Sequence, residues 1–515
     1  MKQQLEELER RRAASLQLGG PERVARQRKE GKYTARERID LLFDAGTFAE
    51  IGQLATYIHT RVTKIKGKVA PADGVITGFG QVDGRRAAVI SEDFTVMGGS
   101  LGLINLAKKN RMIDICTRDM VPLIWLFDGA GARTDEFIGQ GMAPMYHFMS
   151  LARMSGVTPQ VCAVMGPTAG DSSLLAAMME FIVMTKGRGM LAAGGPPLVL
   201  LGTGQTVNKE ELGGSDVHCR ISGVADNEAE TEEQAIDMLK RYLSYMPTNT
   251  YEYPPSLPPT DDPQRRDEEL LHILPQNLKR PYDMQRIIDI VLDKDSFFEI
   301  KPAYAQMVIT GLGRLNGHPV GVIANQPKVY AGAITAASGA KHRHFMDICS
   351  AYHLPIIFLT DTPGVMTGPA SEREGALRAG MTLAHSFAFA DTPIFTVVIH
   401  KGFGYGAAAM GGGGAGHSVL LAWPTADFNA IPLESGILAA YGAEIRAAPD
   451  PDAFRKKLED EFRQLCGAFP AAEIMSIDEV IDPRETRPRL IEALERSIKR
   501  RSKSAQPTIR HGVMP

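Results

Sequence analysis

The chain contains itself twice. The segment VITGFGQVDGRRAAVI from Val75 returns as VITGLGRLNGHPVGVI from Val308, an offset of 308 − 75 = 233 residues. On that one offset Lys108 pairs with Lys341, Asp114-Ile115-Cys116 with Asp347-Ile348-Cys349, Asp128 with Asp361 and Gly131 with Gly364. A register held for so long points to two related domains and away from an array of many short repeats. At 515 residues the chain is also too long for one hydrophobic core. Two homologous halves suggest a site for each of two partners, or one site built between them.

Composition narrows the class. Hydrophobic residues make up 44%, charged residues 23% and the formal net charge is −3, values of an ordinary globular protein without the basic excess of a nucleic-acid binder. Cys116, Cys162, Cys219, Cys349 and Cys466 are scattered, with no pair at metal-ligand spacing, so reduced structural thiols, no metal site and a cytoplasmic home are expected. The N-terminus is charged and helical in period, without a secretory core. Apolar runs such as MVPLIWLF, from Met120, stop well short of the roughly 18 residues a membrane span needs, so no membrane partner is expected.

Runs of β-branched residues alternate with helix-length amphipathic segments, which predicts an α/β fold. Each half should carry a strand pair joined at a polar turn (Val82-Asp83-Gly84, Leu315-Asn316-Gly317), a helix with the shared lysine, and an apolar strand ending at Asp128 or Asp361. The proline- and charge-rich stretch between the halves reads as an extended connector. The expected domains are therefore residues 1–250 and 282–515, joined by residues 251–281. The basic stretch from Ser497 to Arg510 reads as a solvated end.

The chemistry-bearing pattern lies in glycine-rich turns. Gly166-Pro167-Thr168-Ala169-Gly170 follows an apolar strand and opens an apolar helix, so backbone N–H groups should converge there and could hold an oxyanion. Gly402-Phe403-Gly404-Tyr405-Gly406 repeats the device in the second half. The alternative is that these glycines only permit tight turns. The turns Asp128-Gly129-Ala130-Gly131-Ala132-Arg133 and Asp361-Thr362-Pro363-Gly364 stand at strand ends that line crevices in α/β proteins. Their aspartates read as turn formers, and His218 as a hydrogen-bonded structural residue, since spacing fixes no partner for it. A Walker loop and an HExxH helix are missing, so any catalysis is expected to lean on oriented amides.

Several segments together resemble the carboxyltransferase (beta) subunits of biotin-dependent acyl-CoA carboxylases, of the propionyl-CoA carboxylase type. They include GKYTARERIDLLFDAGTFAEIG from Gly31, GPTAG from Gly166, ELGGSDVHCRISGVAD from Glu211, SGAKHRHFMDIC from Ser338, DTPGVMTG from Asp361, AWPTA from Ala422 and EVIDPRETRPRL from Glu479. The resemblance implies two tandem crotonase-like domains, the first binding acyl-CoA and the second receiving carboxybiotin. It also implies a homo-hexamer, a dimer of trimers, with each active site between the first domain of one chain and the second of its neighbour. Separate biotin carboxylase and biotin carboxyl carrier subunits are implied partners, because the chain carries no Met-Lys-Met site and no ATP-binding domain. Biotin would arrive on that carrier and coenzyme A as the thioester substrate.

By motif, the resemblance places the acyl-CoA oxyanion hole at Gly170 and Asp171 and the biotin hole at Tyr405 and Gly406. Gly166, Thr168, Ala169, Gly131 and Ala132 would shape the acyl-CoA side, Gly364 and Gly404 the biotin side, and Ala408 stands where the family discriminates acyl groups. Three departures mark this chain: Asp171 and Tyr405 replace the family's glycines, and DFNAIPLESG follows Ala426 in place of a segment ending in Met-Gly. The small Ala408 would leave room for a longer or bulkier acyl group. Such departures leave a noncatalytic scaffold subunit as one alternative; a biotin-dependent decarboxylase component, which would run the same half-reaction backwards on an unchanged fold, is the other.

Overall fold

The computed structural model describes every residue except 58–69, 138–145, 279, 412–416, 500, 502–504 and 509–511. The chain divides into two compact units, Met1–Glu252 with Arg510–Pro515, and Tyr253–Ile509. In the first unit the sheet runs β1 (Ala49–Ile51), β2 (Val75–Val82), β3 (Arg85–Glu92), β4 (Leu123–Gly129), β5 (Gln160–Ala169) and β6 (Phe181–Thr185). The short β7 (Met190–Ala192) pairs with the end of β5, and β8 (Asn227–Ala229) lies beside β6. The second unit repeats this order with β9 (Phe298–Ile300), β10 (Val308–Leu315), β11 (His318–Asn325), β12 (Ile356–Thr362), β13 (Ile394–Phe403) and β14 (His417–Ala422). There β15 (Asp427–Asn429) pairs with β13, and β16 (Glu479–Val480) with β14. In each sheet the first three strands are antiparallel and the rest parallel.

The sequence dictates these elements locally. Asp83 and Gly84, like Asn316 and Gly317, all take positive φ, the backbone that a two-residue hairpin turn requires. A carboxylate caps each turn: Asp44 accepts from the Asp83 and Gly84 N–H groups, and Asp293 from those of Asn316 and Gly317. Every residue of β4 and β12 is buried, as expected of parallel strands covered on both faces. Both strands slip register against the next strand at their aspartate, between Phe127 and Gly129 and between Thr360 and Thr362. The slip turns the strand end outward and starts the glycine turn.

Two expectations from composition are corrected. The unit boundary falls between Glu252 and Tyr253, and the proline-rich stretch packs on the second unit instead of standing apart. Leu270 joins the core there, Arg286 pairs with Glu269, and Arg487 donates to Asp262 O. The C-terminal stretch is also held: Arg501 lies over the Tyr253 ring and donates to His353 O, while Val513 in the first unit is buried and exchanges hydrogen bonds with Ser155. Partners more than a hundred residues away are invisible to local composition.

The repeat also exposes a charge exchange. In the first unit Lys109 Nζ pairs with Glu92 Oε1 at 2.7 Å, both buried. The residues 233 positions on are His342 and Asn325, so cation and acid have been lost together. His342 is fully buried between Phe358 and Phe387, has no hydrogen-bond partner among the described residues, and burial pushes its pKa down to about 3. The unfolded chain therefore binds a proton at His342 from about pH 6.5 downward while the folded chain does not, so stability falls as pH falls through that window. We expect His342→Phe to reduce the acid loss of stability by about 1.4 kcal/mol per pH unit below 6.5. Urea unfolding of both chains at pH 7, 6 and 5 measures it, and parallel pH slopes would refute it.

Candidate active site

Each unit builds the same corner from two turns. After Asp128 the chain passes Gly131 at φ +91°; Leu101 N–H donates to Gly131 O and Arg133 N–H to Leu101 O, both at 2.8 Å. After Asp361 it passes Gly364 at φ +119°, with Ile334 N–H on Gly364 O and Met366 N–H on Ile334 O. The first loop is anchored by buried Arg133, whose guanidinium meets Asp73 Oδ1 at 2.7 Å, Glu136 Oε1 at 3.0 Å and Ser100 Oγ at 3.0 Å. Burial raises the Asp73 pKa despite that cation.

The second turn opens a helix. β5 passes through Gly170 (φ +68°) into helix Asp171–Ala176, and β13 into helix Gly404–Ala409 through Gly404 (φ +55°). The equivalence is now 404 − 170 = 234 residues, so one residue has been inserted since Asp361. The turns meet: a Cβ on Gly131 would stand 3.6 Å from Ala169 O, and one on Gly364 3.7 Å from Phe403 O. A Cβ on Gly406 would stand 2.5 Å from Gly364 Cα, so glycine there lets the helix start close on the turn.

First-turn N–H groups have no partner within their own helix. Those of Asp171 and Ser172, and of Tyr405 and Gly406, have no acceptor among the described residues. The Gly170 N–H, in contrast, donates to Ala192 O at 3.0 Å. Of the pair Gly170 and Asp171, only Asp171 presents a spare donor; Gly170 supplies the positive φ. Asp171 and Ser172 are thus the counterparts of Tyr405 and Gly406.

The other sequence candidates separate into two groups. Gly131, Ala132 and Ala169 border the first corner, and Gly364, Gly404 and Ala408 the second. Gly166 and Thr168 do not present groups to it. Any side chain at Gly166 would strike Asp128 Oδ1 at 1.9 Å, and Thr168 is fully buried with its hydroxyl on Gly166 O. His218 bonds Ser222 Oγ and Leu191 O, as a structural histidine does.

The substituted side chains turn onto neighbouring helices. Asp171 Oδ1 lies 2.9 Å from His147 Nε2 on helix Tyr146–Met154. Tyr405 OH donates to Gly380 O at 2.6 Å on helix Ala376–Phe389, and burial raises its pKa. His147 escaped the sequence reading because 24 residues separate it from Asp171. Its signal was the repeat itself, since 380 − 147 = 233.

Both strand-end aspartates are buried supports. Asp128 holds Lys32 at 2.6 Å and Arg38 at 2.9 Å. Asp361 accepts from Tyr282 OH and Lys401 N–H; burial would raise its pKa, but His400 and Lys401 bring it below the ordinary carboxylate value. Desolvation and the Asp361 charge hold the Tyr282 pKa far above the usual phenol value.

Two cavities adjoin these corners. One of about 770 Å³ in the first unit is lined by Ala132, Arg133, Gly20 and Arg23. One of about 710 Å³ in the second lies along helix Gly404–Ala409, lined by Ala407, Ala408, Phe428, Leu465 and Ile474. Among the described residues no helix is long and apolar enough to cross a membrane, and no group of three or more His, Cys, Asp or Glu could hold a metal ion.

Comparison with known proteins gives this geometry its context. The carboxyl transferase domain family matches residues 26–514. The chain is 38% identical to the propionyl-CoA carboxylase carboxyltransferase subunit of Haloferax mediterranei, over 100% of this chain and 99% of that one. It is 35% identical to the methylmalonyl-CoA decarboxylase alpha subunit of Veillonella parvula, over 96% of each. The crystal structure of the transcarboxylase 12S hexamer core with methylmalonyl-coenzyme A bound superposes with a TM-score of 0.93 at 33% identity, covering 100% of this chain and 98% of that one. The chain belongs to the carboxyl transferase family, as an enzyme subunit of the acyl-CoA carboxylase beta type with the two tandem crotonase-like domains of that family.

Proposed function

We propose that the two corners are paired oxyanion sites for moving a carboxyl group from carboxybiotin to the α-carbon of an acyl-CoA. The N–H groups of Asp171 and Ser172 hold the thioester oxygen as it gains enolate charge; those of Tyr405 and Gly406 hold the ureido oxygen of biotin. The observation that carries this reading is the duplication of one corner, each copy with first-turn amides lacking any described acceptor. Carboxybiotin supplies the carbon dioxide and, through its ureido nitrogen, the base for the α-proton. The chain's own task is to orient amides and align two reactants in a dry cleft. Coenzyme A is assigned to the first unit's cavity, which Ala132, Arg133 and Arg23 line.

Biotin arrives on a separate carrier loaded by a biotin carboxylase, and the subunits assemble as a cytoplasmic hexamer in which corners from neighbouring chains face one reaction space. The scaffold alternative rests on Asp171, Tyr405 and the lost Met-Gly; the first two side chains are tied back to neighbouring helices. The similarity to a decarboxylase subunit leaves the direction of transfer to experiment. Purified chain is assayed with carboxylated biotin carrier and an acyl-CoA panel; no acyl-CoA carboxylated at any length would reject the reading.

The acyl group reaches past Ala408 into the cavity beyond. Each methylene buried against its apolar wall contributes about 0.8 kcal/mol, so kcat/KM should rise about fourfold per carbon beyond propionyl until the cavity is filled. Ala408→Leu should remove that rise while sparing propionyl-CoA. A flat profile in the parent chain, or an unchanged one in the variant, would sink the assignment.

A further inference from the structure

The residue after the positive-φ glycine is treated alike in both units. Asp171 follows Gly170 and Tyr405 follows Gly404; each bends its side chain onto the neighbouring helix, at His147 and at Gly380. For tyrosine this only removes bulk from the corner. For aspartate it also handles a charge. A carboxylate beside the amide that receives an enolate oxygen opposes the charge that develops there. His147 is 3% exposed, its Nε2 meets Asp171 Oδ1, and its Nδ1 has no partner among the described residues; Asp171 Oδ2 likewise has none. Asp171 is thus the one polar contact of this imidazole among the described residues, and no other bond accounts for burying it.

We propose that His147 is a positioning residue for carboxyl transfer: it holds the Asp171 carboxylate against helix Tyr146–Met154 and offsets its charge, which keeps the Asp171 N–H serviceable for the thioester oxygen. This rests on the oxyanion reading of the first corner. It accounts for how this chain tolerates an acid at such a place: a histidine accompanies it.

The test uses the full chain, methylmalonyl-CoA as donor and free biotin as acceptor. His147→Ala should lower kcat about 10- to 100-fold with KM for the CoA ester nearly unchanged, because the loss falls on the developing charge. Asp171→Asn removes the charge and keeps the N–H; whatever rate it shows by itself, adding His147→Ala to it should cost no more than about threefold further, since no charge remains to be held. A purely structural histidine predicts the same loss in both backgrounds. Should His147→Ala fail to fold, His147→Phe in the Asp171→Asn background keeps the volume and the stacking on Phe148. Equality with Asp171→Asn then supports the proposal and a tenfold deficit overturns it. Full activity of His147→Ala, or a double variant with a tenfold deficit against Asp171→Asn, also overturns it. A parent chain that carboxylates no member of the acyl-CoA panel from carboxylated carrier brings down the oxyanion reading, and this proposal with it.

Discussion

Asp171→Pro should lower kcat for carboxyl transfer by about 10²–10³-fold without unfolding the chain. The substitution deletes one hydrogen atom that matters. Asp171 is the first residue of its helix, where proline's fixed φ suits the backbone and a missing N–H breaks no intrahelical bond. The preceding residue is Gly170 at φ +68° and ψ −131°, outside the α region that a following proline disfavours. The sheet contact at this corner belongs to Gly170 N–H on Ala192 O and survives. Asp171→Ala removes the same carboxylate and keeps the donor, so the ratio of the two variants isolates the N–H. Equal rates for proline and alanine, with matching melting temperatures, would mean that this amide touches no developing charge. Tyr405→Pro applies the same operation to the second corner, where the loss should appear with free biotin as well as with the carrier.

How much of this was legible in sequence depends on the range of the interaction. Hairpin turns at Asp83-Gly84 and Asn316-Gly317 follow from residues that touch near neighbours and stand where the pattern put them, and the two strands expected to end at Asp128 and Asp361 run one residue further, to Gly129 and Thr362. The repeat conveyed the topology because both halves must bury the same strands. The donor register was harder. Motif reading paired Gly170-Asp171 with Tyr405-Gly406, although the offset has slipped from 233 to 234 by that point, and only the bond from Gly170 to Ala192 reveals which amide is spent. His147 needed a contact between a helix and a strand end, which no local spacing encodes. The proline-rich connector misled for a related reason: its composition cannot bury itself, but Arg487, 225 residues away, supplies a partner for Asp262.

The largest effect on stability should come from Asp128. It ends a strand buried on both faces, and its carboxylate faces Lys32 at 2.6 Å and Arg38 at 2.9 Å; all three side chains are at most 8% exposed. Arg38 has a second acid, Glu232, which takes its Nε and Nη2 at 2.7 and 2.8 Å. Lys32 meets no second acid among the described residues; its ammonium lies over the Phe94 ring at 4.7 Å. Asp128→Ala therefore strands a buried ammonium and leaves space beside Gly166, which packs on this carboxylate so closely that it cannot carry a side chain. Removing one member of a buried ion pair typically costs about 3–5 kcal/mol. In a unit of this size that corresponds to a melting temperature about 6–20 °C lower. Asp361→Ala should cost less, because Lys401 is about a quarter exposed and can turn to water, and Tyr282 is neutral. Asp128→Ala combined with Lys32→Met should recover much of the loss, since an apolar pair leaves no charge to solvate. Calorimetry of the three variants decides it: if the double change melts no higher than Asp128→Ala, the aspartate acts through shape, and the ionic account of this strand end is wrong.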